Sequence, residues 1–313
     1  MRDIWIDCDP GHDDALAILT AIANKDKLNI LGISTIGGNQ TLEKVTTNAK
    51  NILSFVRADI PLAMGQKGPL VKCLEPSDEA HGESGMDGPY FDHGDYPLAS
   101  KNAVNFMYEK IMSTENKTII VGLGPLTNVA LLLKSYPEVL DKIDCISIMG
   151  GGINHGNITS LAEFNIYVDP EAAHIVFNSG LPILMAGLDV TEKAEITVSE
   201  IESLKNKGKV SHLAYELLHF YNKSGQQFGF INSPIHDLCA IEYLLKPEIF
   251  GGNHYYVDVN TNDGVSRGHT FADKRLVSEK GKNTLVLETV NREKFVEVLI
   301  NALEKLDNEL VSK

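Results

Sequence analysis

Four carboxylates fall within the eight residues Asp7-Cys8-Asp9-Pro10-Gly11-His12-Asp13-Asp14, at the carboxyl end of the strand-like run Ile4 to Cys8. Helix capping accounts for part of this. Asp9 ahead of Pro10 makes a good N-cap with proline at the first helical position, and acids in a first turn favour the helix dipole. Capping needs one or two acids, however. Four at the mouth of a buried strand repel one another unless a cation neutralises them. Carboxylate oxygens with no adjacent cysteine or paired histidine suit Ca²⁺ or Mg²⁺ rather than Zn²⁺. The segment is not an EF-hand loop, because its sixth position is His12 and its twelfth Ile18. His12 reads as a solvent-facing turn residue.

Other polar groups recur where further strands should end. They are Gly37-Gly38-Asn39, Gly122-Leu123-Gly124-Pro125-Leu126-Thr127-Asn128, and the glycines 150–152 with the loop through Asn157 to Ala162-Glu163-Phe164-Asn165. Turn chemistry alone explains any one of them. Together they put Asn39, Asn157, Glu163 and Asn165 near the acidic cluster with few cationic side chains, a setting for a neutral polyhydroxyl ligand such as a sugar. Ser233-Pro234-Ile235-His236-Asp237-Leu238 opens an apolar helix. Asp237 is then either a first-turn acid or a distant metal ligand, with His236 a titratable neighbour near neutral pH. Phosphate-binding motifs are missing: GxxxxGK[ST] does not occur, and neither glycine cluster completes GxGxxG. An Asp-x-Asp phosphotransferase is disfavoured because Pro10 removes a backbone donor after Asp9.

The elements that must position these groups alternate. Strands are expected at Ile4 to Cys8, Leu28 to Ile36, Thr118 to Val121, Ile143 to Met149 and Ile183 to Met185. Helices are expected at Asp14 to Ala23, Leu42 to Phe55, Pro125 to Leu133 and Pro170 to Phe177. This rhythm predicts an α/β fold with a mostly parallel, Rossmann-like central sheet flanked by helices. Beyond about residue 195 it changes to helices over Val198 to Lys205, His212 to Phe220 and Asp237 to Leu245. Strand-like runs at Tyr255 to Val259 and Thr284 to Leu287 and a helix over Arg292 to Leu306 follow, so C-terminal helical and antiparallel additions are expected. With no repeat or linker, residues 1–313 read as one catalytic domain. Pro69 to Ser100 is the longest irregular stretch, a length typical of functional lids or disorder.

Composition narrows the function. The chain has 313 residues, 43% of them hydrophobic, with 28 Lys+Arg against 42 Asp+Glu and a formal charge of −14. Such a surplus of negative charge disfavours nucleic acid and anionic membrane surfaces as partners. No apolar run approaches the ~18 residues of a membrane span, and Met1-Arg2-Asp3-Ile4-Trp5 carries no secretory core. Cys8, Cys73, Cys145 and Cys239 are scattered, as expected of thiols in a reducing cytosol. A cytoplasmic location is expected.

The run Asp7 to Ala15 resembles the DxDPGxDDA signature of the inosine-uridine-preferring nucleoside hydrolase family. Gly124-Pro125-Leu126-Thr127-Asn128, Met149-Gly150-Gly151, Glu163-Phe164-Asn165-Ile166 and His236-Asp237 recur in the family's order, so the resemblance spans residue 3 to about 245. It implies Ca²⁺-dependent hydrolysis of the N-glycosidic bond of ribonucleosides, at the carboxyl edge of a Rossmann-like sheet. The implied metal ligands are Asp9, Asp14, Asp237 and the main-chain carbonyl of Leu123. Asp13 takes the place of the base that deprotonates a water on the metal, and His236 that of the proton donor to the leaving base. Asn39, Asn157, Glu163 and Asn165 match ribose-holding residues, with Phe164 inside the same motif. His81, in His81-Gly82-Glu83-Ser84-Gly85, resembles a mobile lid histidine. A homodimer or homotetramer is implied as well.

These residue types suit the chemistry. Glycosidic cleavage passes through an oxocarbenium-like sugar that acids stabilise. Calcium acidifies water less than zinc does, so a separate base is needed. The aromatic-rich run His219 to Phe230 is either a helix end packed on the core or a wall over the nucleobase. Phe228 lacks the hydroxyl often found in that region, which leaves purine or pyrimidine preference open. Two other classes make distinct predictions. A non-catalytic nucleoside or sugar binder on the same scaffold would be stabilised by ligand without turnover. A Mg²⁺-dependent phosphohydrolase would release inorganic phosphate from nucleotides.

Overall fold

The computed structural model describes residues 1–92, 95–275 and 280–311. In chain order the elements begin β1 (Arg2–Cys8), α1 (His12–Ala23), β2 (Leu28–Thr35), α2 (Leu42–Phe55), β3 (Leu62–Met64) and α3 (Asp78–His81). Next come α4 (Ala103–Ser113), β4 (Thr118–Gly122), α5 (Thr127–Ser135), β5 (Ile143–Met149), α6 (Phe164–Val168), α7 (Pro170–Phe177), β6 (Ile183–Ala186) and α8 (Leu188–Thr191). The chain continues with β7 (Glu195–Ile196), α9 (Val198–Leu204), α10 (Lys209–Gly225), β8 (Ser233–Pro234) and α11 (Leu238–Leu245). It closes with β9 (Phe250–Val259), β10 (Thr270–Asp273), β11 (Thr284–Val290) and α12 (Arg292–Val311).

Among the described residues the main sheet runs β10-β9-β11-β6-β5-β4-β1-β2-β3. From β11 to β3 the pairs are parallel, whereas β9 pairs antiparallel with both β11 and β10. The expected parallel α/β sheet with antiparallel C-terminal additions is present. Side chains alternate across it, as a pleated strand requires. Ile4, Ile6 and Cys8 of β1 face a core shared with α1, α2, α10, α11 and α12, while Trp5 faces a second core with α4, α5 and α7. Both faces of β1 are therefore buried, which is why Ile4-Trp5-Ile6 is apolar without alternation.

Strand order reverses between β1 and β4, since β2 lies on one side of β1 and β4 on the other. At such a switch point the connections diverge to opposite faces and leave a crevice at the carboxyl ends of the strands. The acidic segment after β1 and Gly122-Leu123-Gly124 after β4 both open into it. The backbone N–H of Leu123 donates to the Asp7 carbonyl across 2.8 Å and stitches the two strand ends together.

Several element boundaries differ from expectation. The helix foreseen over His212 to Phe220 runs from Lys209 to Gly225, carrying its aromatic end into the site. Helix α4 was not foreseen. Its signal was the Asn102 cap, which accepts from the Asn105 N–H at 3.2 Å, and the buried Ala103, Val104, Met107 and Ile111 at helical spacing. Most of the irregular stretch from 69 to 100 is indeed without regular structure, with α3 inside it. Among the described residues no helix is long and apolar enough to cross a membrane.

Candidate active site

The first turn of α1 starts at His12, and its N-cap is Gly11, so Asp9 does not cap the helix. Instead the Asp14 carboxylate turns back and accepts from the Gly11 N–H at 2.9 Å. Asp9 is freed for the crevice. Its Oδ2 accepts from the Asn39 N–H at 2.7 Å, and the Asn39 amide donates to the Asp9 carbonyl at 3.1 Å. Two glycines make room for it. A Cβ at Gly38 or at Gly124 would collide with the Asp9 carboxylate, so these strand-end glycines are required by close approach.

Asp13, Asp14 and Asp237 each present a carboxylate oxygen, and the three lie within 4.8 Å of one another. Asp237 arrives from the start of α11. All are buried, as is Asp9. Burial is the main reason the carboxyls of Asp9, Asp14 and Asp237 are pushed above the ordinary range, and the mutual repulsion of the acids adds to it. Oδ1 of Asp9 and Oδ1 of Asp14 are buried with no hydrogen-bond partner among the described residues. None of the four pairs with a lysine or arginine among the described residues. Crowded, desolvated carboxylates with orphaned oxygens are a hard-oxygen donor set short of positive charge, and they fit a divalent cation of the Ca²⁺ or Mg²⁺ type. Asp9 lies outside the closest trio and borders it through Asp14.

The fourth acid of the signature, Asp7, does not join this group. Its carboxylate accepts from Ser34 Oγ and from Asn128 Nδ2, the latter at 2.8 Å, beneath the strand ends. Burial raises it to about 7 against the pull of those hydrogen bonds. Asn128 also donates to the Thr35 carbonyl at 3.1 Å and accepts from the Gln66 N–H at 3.0 Å, so this pair braces β1, β2 and the chain after β3.

Of the residues matched to ribose holders, Glu163 and Asn165 are buried and linked to the end of β4. Glu163 caps α6: Oε1 accepts from the Asn165 N–H at 3.0 Å, and Oε2 from the Gly151 N–H at 2.8 Å. Its burial outweighs these bonds and raises the carboxyl to about 7, and the nearby Asp13 charge adds to the rise. The Asn165 amide donates to the Leu123 carbonyl at 2.8 Å and the Met149 carbonyl at 3.2 Å. Asn157 stands apart. It is exposed, and its Oδ1 accepts from the Phe164 N–H at 2.9 Å, with Phe164 half-buried.

Histidines close the other side. His236 is half-buried, with Nδ1 2.8 Å from Thr191 Oγ1. Its desolvated setting pulls its pKa down, while the Asp13 and Glu192 charges pull it up. His81 is buried and lowered to about 4, by burial first and then by His236. His12 is not solvent-facing as expected but fully buried, edge to edge with His81 and parallel to the rings of Phe220 and Tyr221 at the end of α10. The longer α10 is what brings those rings over the α1 turn. Tyr221 also stacks on His81, with centroids 5.5 Å apart, and its hydroxyl is raised by burial and then by Asp13, Asp237 and Asp14. Phe228 lies outside this stack, 53% exposed in a short turn after α10. His12, Thr191 and Tyr221 were missing from the sequence-based site.

A family profile described as inosine-uridine preferring nucleoside hydrolase matches residues 4–297. This chain belongs to that family. Among curated relatives, the pyrimidine-specific ribonucleoside hydrolase RihA of Escherichia coli O1:K1 / APEC is 44% identical over 306 residues, covering 96% of this chain and 98% of the relative. RihA of Salmonella paratyphi C (strain RKS4594) matches equally well. The plant nucleoside hydrolase PpNRh1 superposes with a TM-score of 0.91 at 30% identity, covering 97% of this chain and 99% of that one. A purine-preferring ribonucleoside hydrolase from Gardnerella vaginalis gives 0.92 at 27% identity, covering 98% and 100%. The nucleoside hydrolase family membership makes this chain an N-glycosyl hydrolase acting on ribonucleosides, and the acidic crevice at the β1/β4 switch point is its candidate active site.

Proposed function

We propose that this nucleoside hydrolase cleaves pyrimidine ribonucleosides, with Ca²⁺ held by Asp9, Asp14, Asp237 and the Leu123 carbonyl. The observation that carries the reading is the carboxylate trio within 4.8 Å, bordered by the orphaned Asp9 oxygen. Calcium, when bound, supplies a fixed double positive charge that orients ribose hydroxyls and the water. Asp13 takes a proton from the attacking water as its oxygen bonds to C1′. The glycosidic electron pair leaves with the base, which takes up a proton, and His236 is placed to give it. Glu163, Asn39 and Asn165 hold ribose hydroxyls, Asn165 also orients the Leu123 carbonyl toward the metal, and Asn157 is a further ribose contact on the 150–165 loop. The Glu163 carboxylate also favours the positive charge developing on the ring. His81 meets the substrate from the side of α3, with Phe164 and Phe228 lining the approach.

The pyrimidine preference is supported by the 44% identity to a pyrimidine-specific enzyme over almost the whole chain. A cytoplasmic homodimer or homotetramer completes the proposal. The test is ribose release from uridine, cytidine, inosine and adenosine by calcium-replete protein. Uridine and cytidine should be consumed at least tenfold faster than the purines, and a strong chelator should abolish turnover. No ribose from any of the four would overturn the function, and faster purine turnover would overturn the preference alone.

A further inference from the structure

His12 sits in the metal-binding turn yet aims its ring away from the carboxylates, into the His81 segment. Nε2 lies 2.7 Å from the Asp87 carbonyl, and Nδ1 lies 3.1 Å from His81 Nδ1. The His12 backbone N–H is 3.5 Å from that same His81 nitrogen. Both ring nitrogens of His12 are thus committed to one short stretch of chain, at its start and at its end.

The stretch from 81 to 87 is a closed turn. The Asp87 carboxylate accepts from the Glu83 and Ser84 N–H groups, both at 3.0 Å. Asn48 of α2 donates to the Pro10 carbonyl at 2.9 Å and to the Ser84 carbonyl at 3.1 Å, tying the turn to the acidic segment. From α10, Ser224 Oγ donates to the Ala80 carbonyl at 2.8 Å and Gln227 to the Glu79 carbonyl at 2.9 Å. Only His12 among these contacts reaches the His81 ring itself by hydrogen bond. Its own plane is set by offset stacking on Phe220, with centroids 5.1 Å apart and planes 4° from parallel, and on Tyr221 at 5.5 Å.

We propose that His12 is a positioning residue, which fixes the His81 ring over the site by holding its Nδ1 and leaving Nε2 as the ring atom that meets the substrate. The inference rests on the assignment of His81 to substrate contact. It makes the DPGHDD turn bifunctional: the acids serve the metal while the histidine between them sets the substrate side. Once His81 Nδ1 is occupied, ring rotation costs that hydrogen bond and the ring contact with Tyr221, so the His81 ring is ordered before substrate arrives.

Four proteins test this: wild type, His81→Ala, His12→Phe and the double variant. Phenylalanine keeps the stack on Phe220 and Tyr221 while removing both hydrogen bonds. With uridine, His12→Phe should raise KM roughly tenfold and change kcat by less than about threefold, the mark of lost binding contact. In the double variant KM should be no worse than in His81→Ala alone, because both changes remove one interaction. His12→Gln, which restores one polar group, should recover part of the loss. If His12→Phe does not fold, His12→Gln and its double with His81→Ala run the same cycle. Unchanged KM in His12→Phe beside a raised KM in His81→Ala would overturn this inference and leave the His81 contact intact. Losses that multiply in the double variant would also overturn it. Wild-type KM in His81→Ala would overturn the substrate contact itself.

Discussion

The side-chain amide of Asn165 donates to the main-chain carbonyl of Leu123 across 2.8 Å. A carbonyl oxygen has two lone pairs, so it can accept this bond and still face a cation. The same amide reaches the Met149 carbonyl, so one side chain spans the ends of β4 and β5. Its backbone N–H meanwhile binds Glu163. Asn165 therefore joins the sugar-facing carboxylate to the carbonyl assigned to the metal. Asn165→Leu, which keeps the size and loses the donor, should weaken calcium by about 10- to 100-fold, as loss of an outer ligand-orienting partner does elsewhere. It should raise KM for uridine as well. Calcium titration followed by thermal shift, together with initial rates, checks both. Calcium affinity and KM both at wild-type values would contradict the coupling.

Asp13 separates chemistry from metal binding more cleanly than its neighbours. It lies in the carboxylate trio but has no hydrogen-bond partner among the described contacts, whereas Asp14 also braces the helix start. Asp13→Asn should lower kcat by about 10²- to 10⁴-fold, the usual worth of a general base. Calcium should still raise the Tm of the variant. A loss of calcium stabilisation equal to that in Asp9→Ala would show that Asp13 is a ligand first.

The pattern of the sheet was legible in the chain because most positions of its central parallel strands are buried and carry β-branched or other apolar residues. The acids, Asn39, Glu163 and Asn165 were legible because they fall at the ends of those runs, where the switch point collects them. His12 was not. A histidine in a turn carries no sign of burial in its own neighbourhood, and its partners Asp87, His81, Phe220 and Tyr221 lie 69 to 209 positions away. The bracing role of Asp7 was hidden for a related reason: its partners Ser34 and Asn128 come from other strand ends, so spacing within the acidic segment does not set it apart from the other three acids. Phe228 follows α10 in a short turn, 53% exposed and outside the ring cluster of His12, Phe220 and Tyr221, a placement that the length of α10 sets and the aromatic run alone does not reveal.

Recognition of the ribose should depend on its 2′-hydroxyl. Asn39, which bonds Asp9, and Glu163 and Asn165, which are tied to Leu123, are buried polar groups at the strand ends, and a site built to bond a hydroxyl leaves groups unsatisfied when that hydroxyl is missing. Deoxyuridine should therefore give a kcat/KM lower than uridine by on the order of 10²-fold or more. Competition between the two nucleosides, followed by chromatography of uracil and sugar products, measures the ratio directly. Comparable rates would remove the 2′-hydroxyl from the recognition scheme.

Glu242 makes a prediction about stability that is independent of the site. It lies in α11 at 0% exposure, and neither carboxylate oxygen has a hydrogen-bond partner among the described residues. Burial alone pushes its pKa well above the model-compound 4.5. The folded protein therefore holds this proton more tightly than the unfolded chain. Its contribution is favourable at acid pH and is lost as pH rises above about 4.5, by up to about 1.4 kcal/mol per pH unit until the folded group ionises. Glu242→Met keeps an unbranched side chain of similar length and removes the titration. The variant should gain on wild type as pH rises, with Tm about 2 °C or more higher at pH 8 and a smaller gap at pH 5. Its turnover of uridine should stay near wild type, because Glu242 touches no residue of the site by hydrogen bond. Thermal melts of both proteins across pH 5 to 8 decide the matter. A gap that is flat across that range, or a wild type more stable at pH 8, would mean that Glu242 is satisfied in solution by a partner such as buried water.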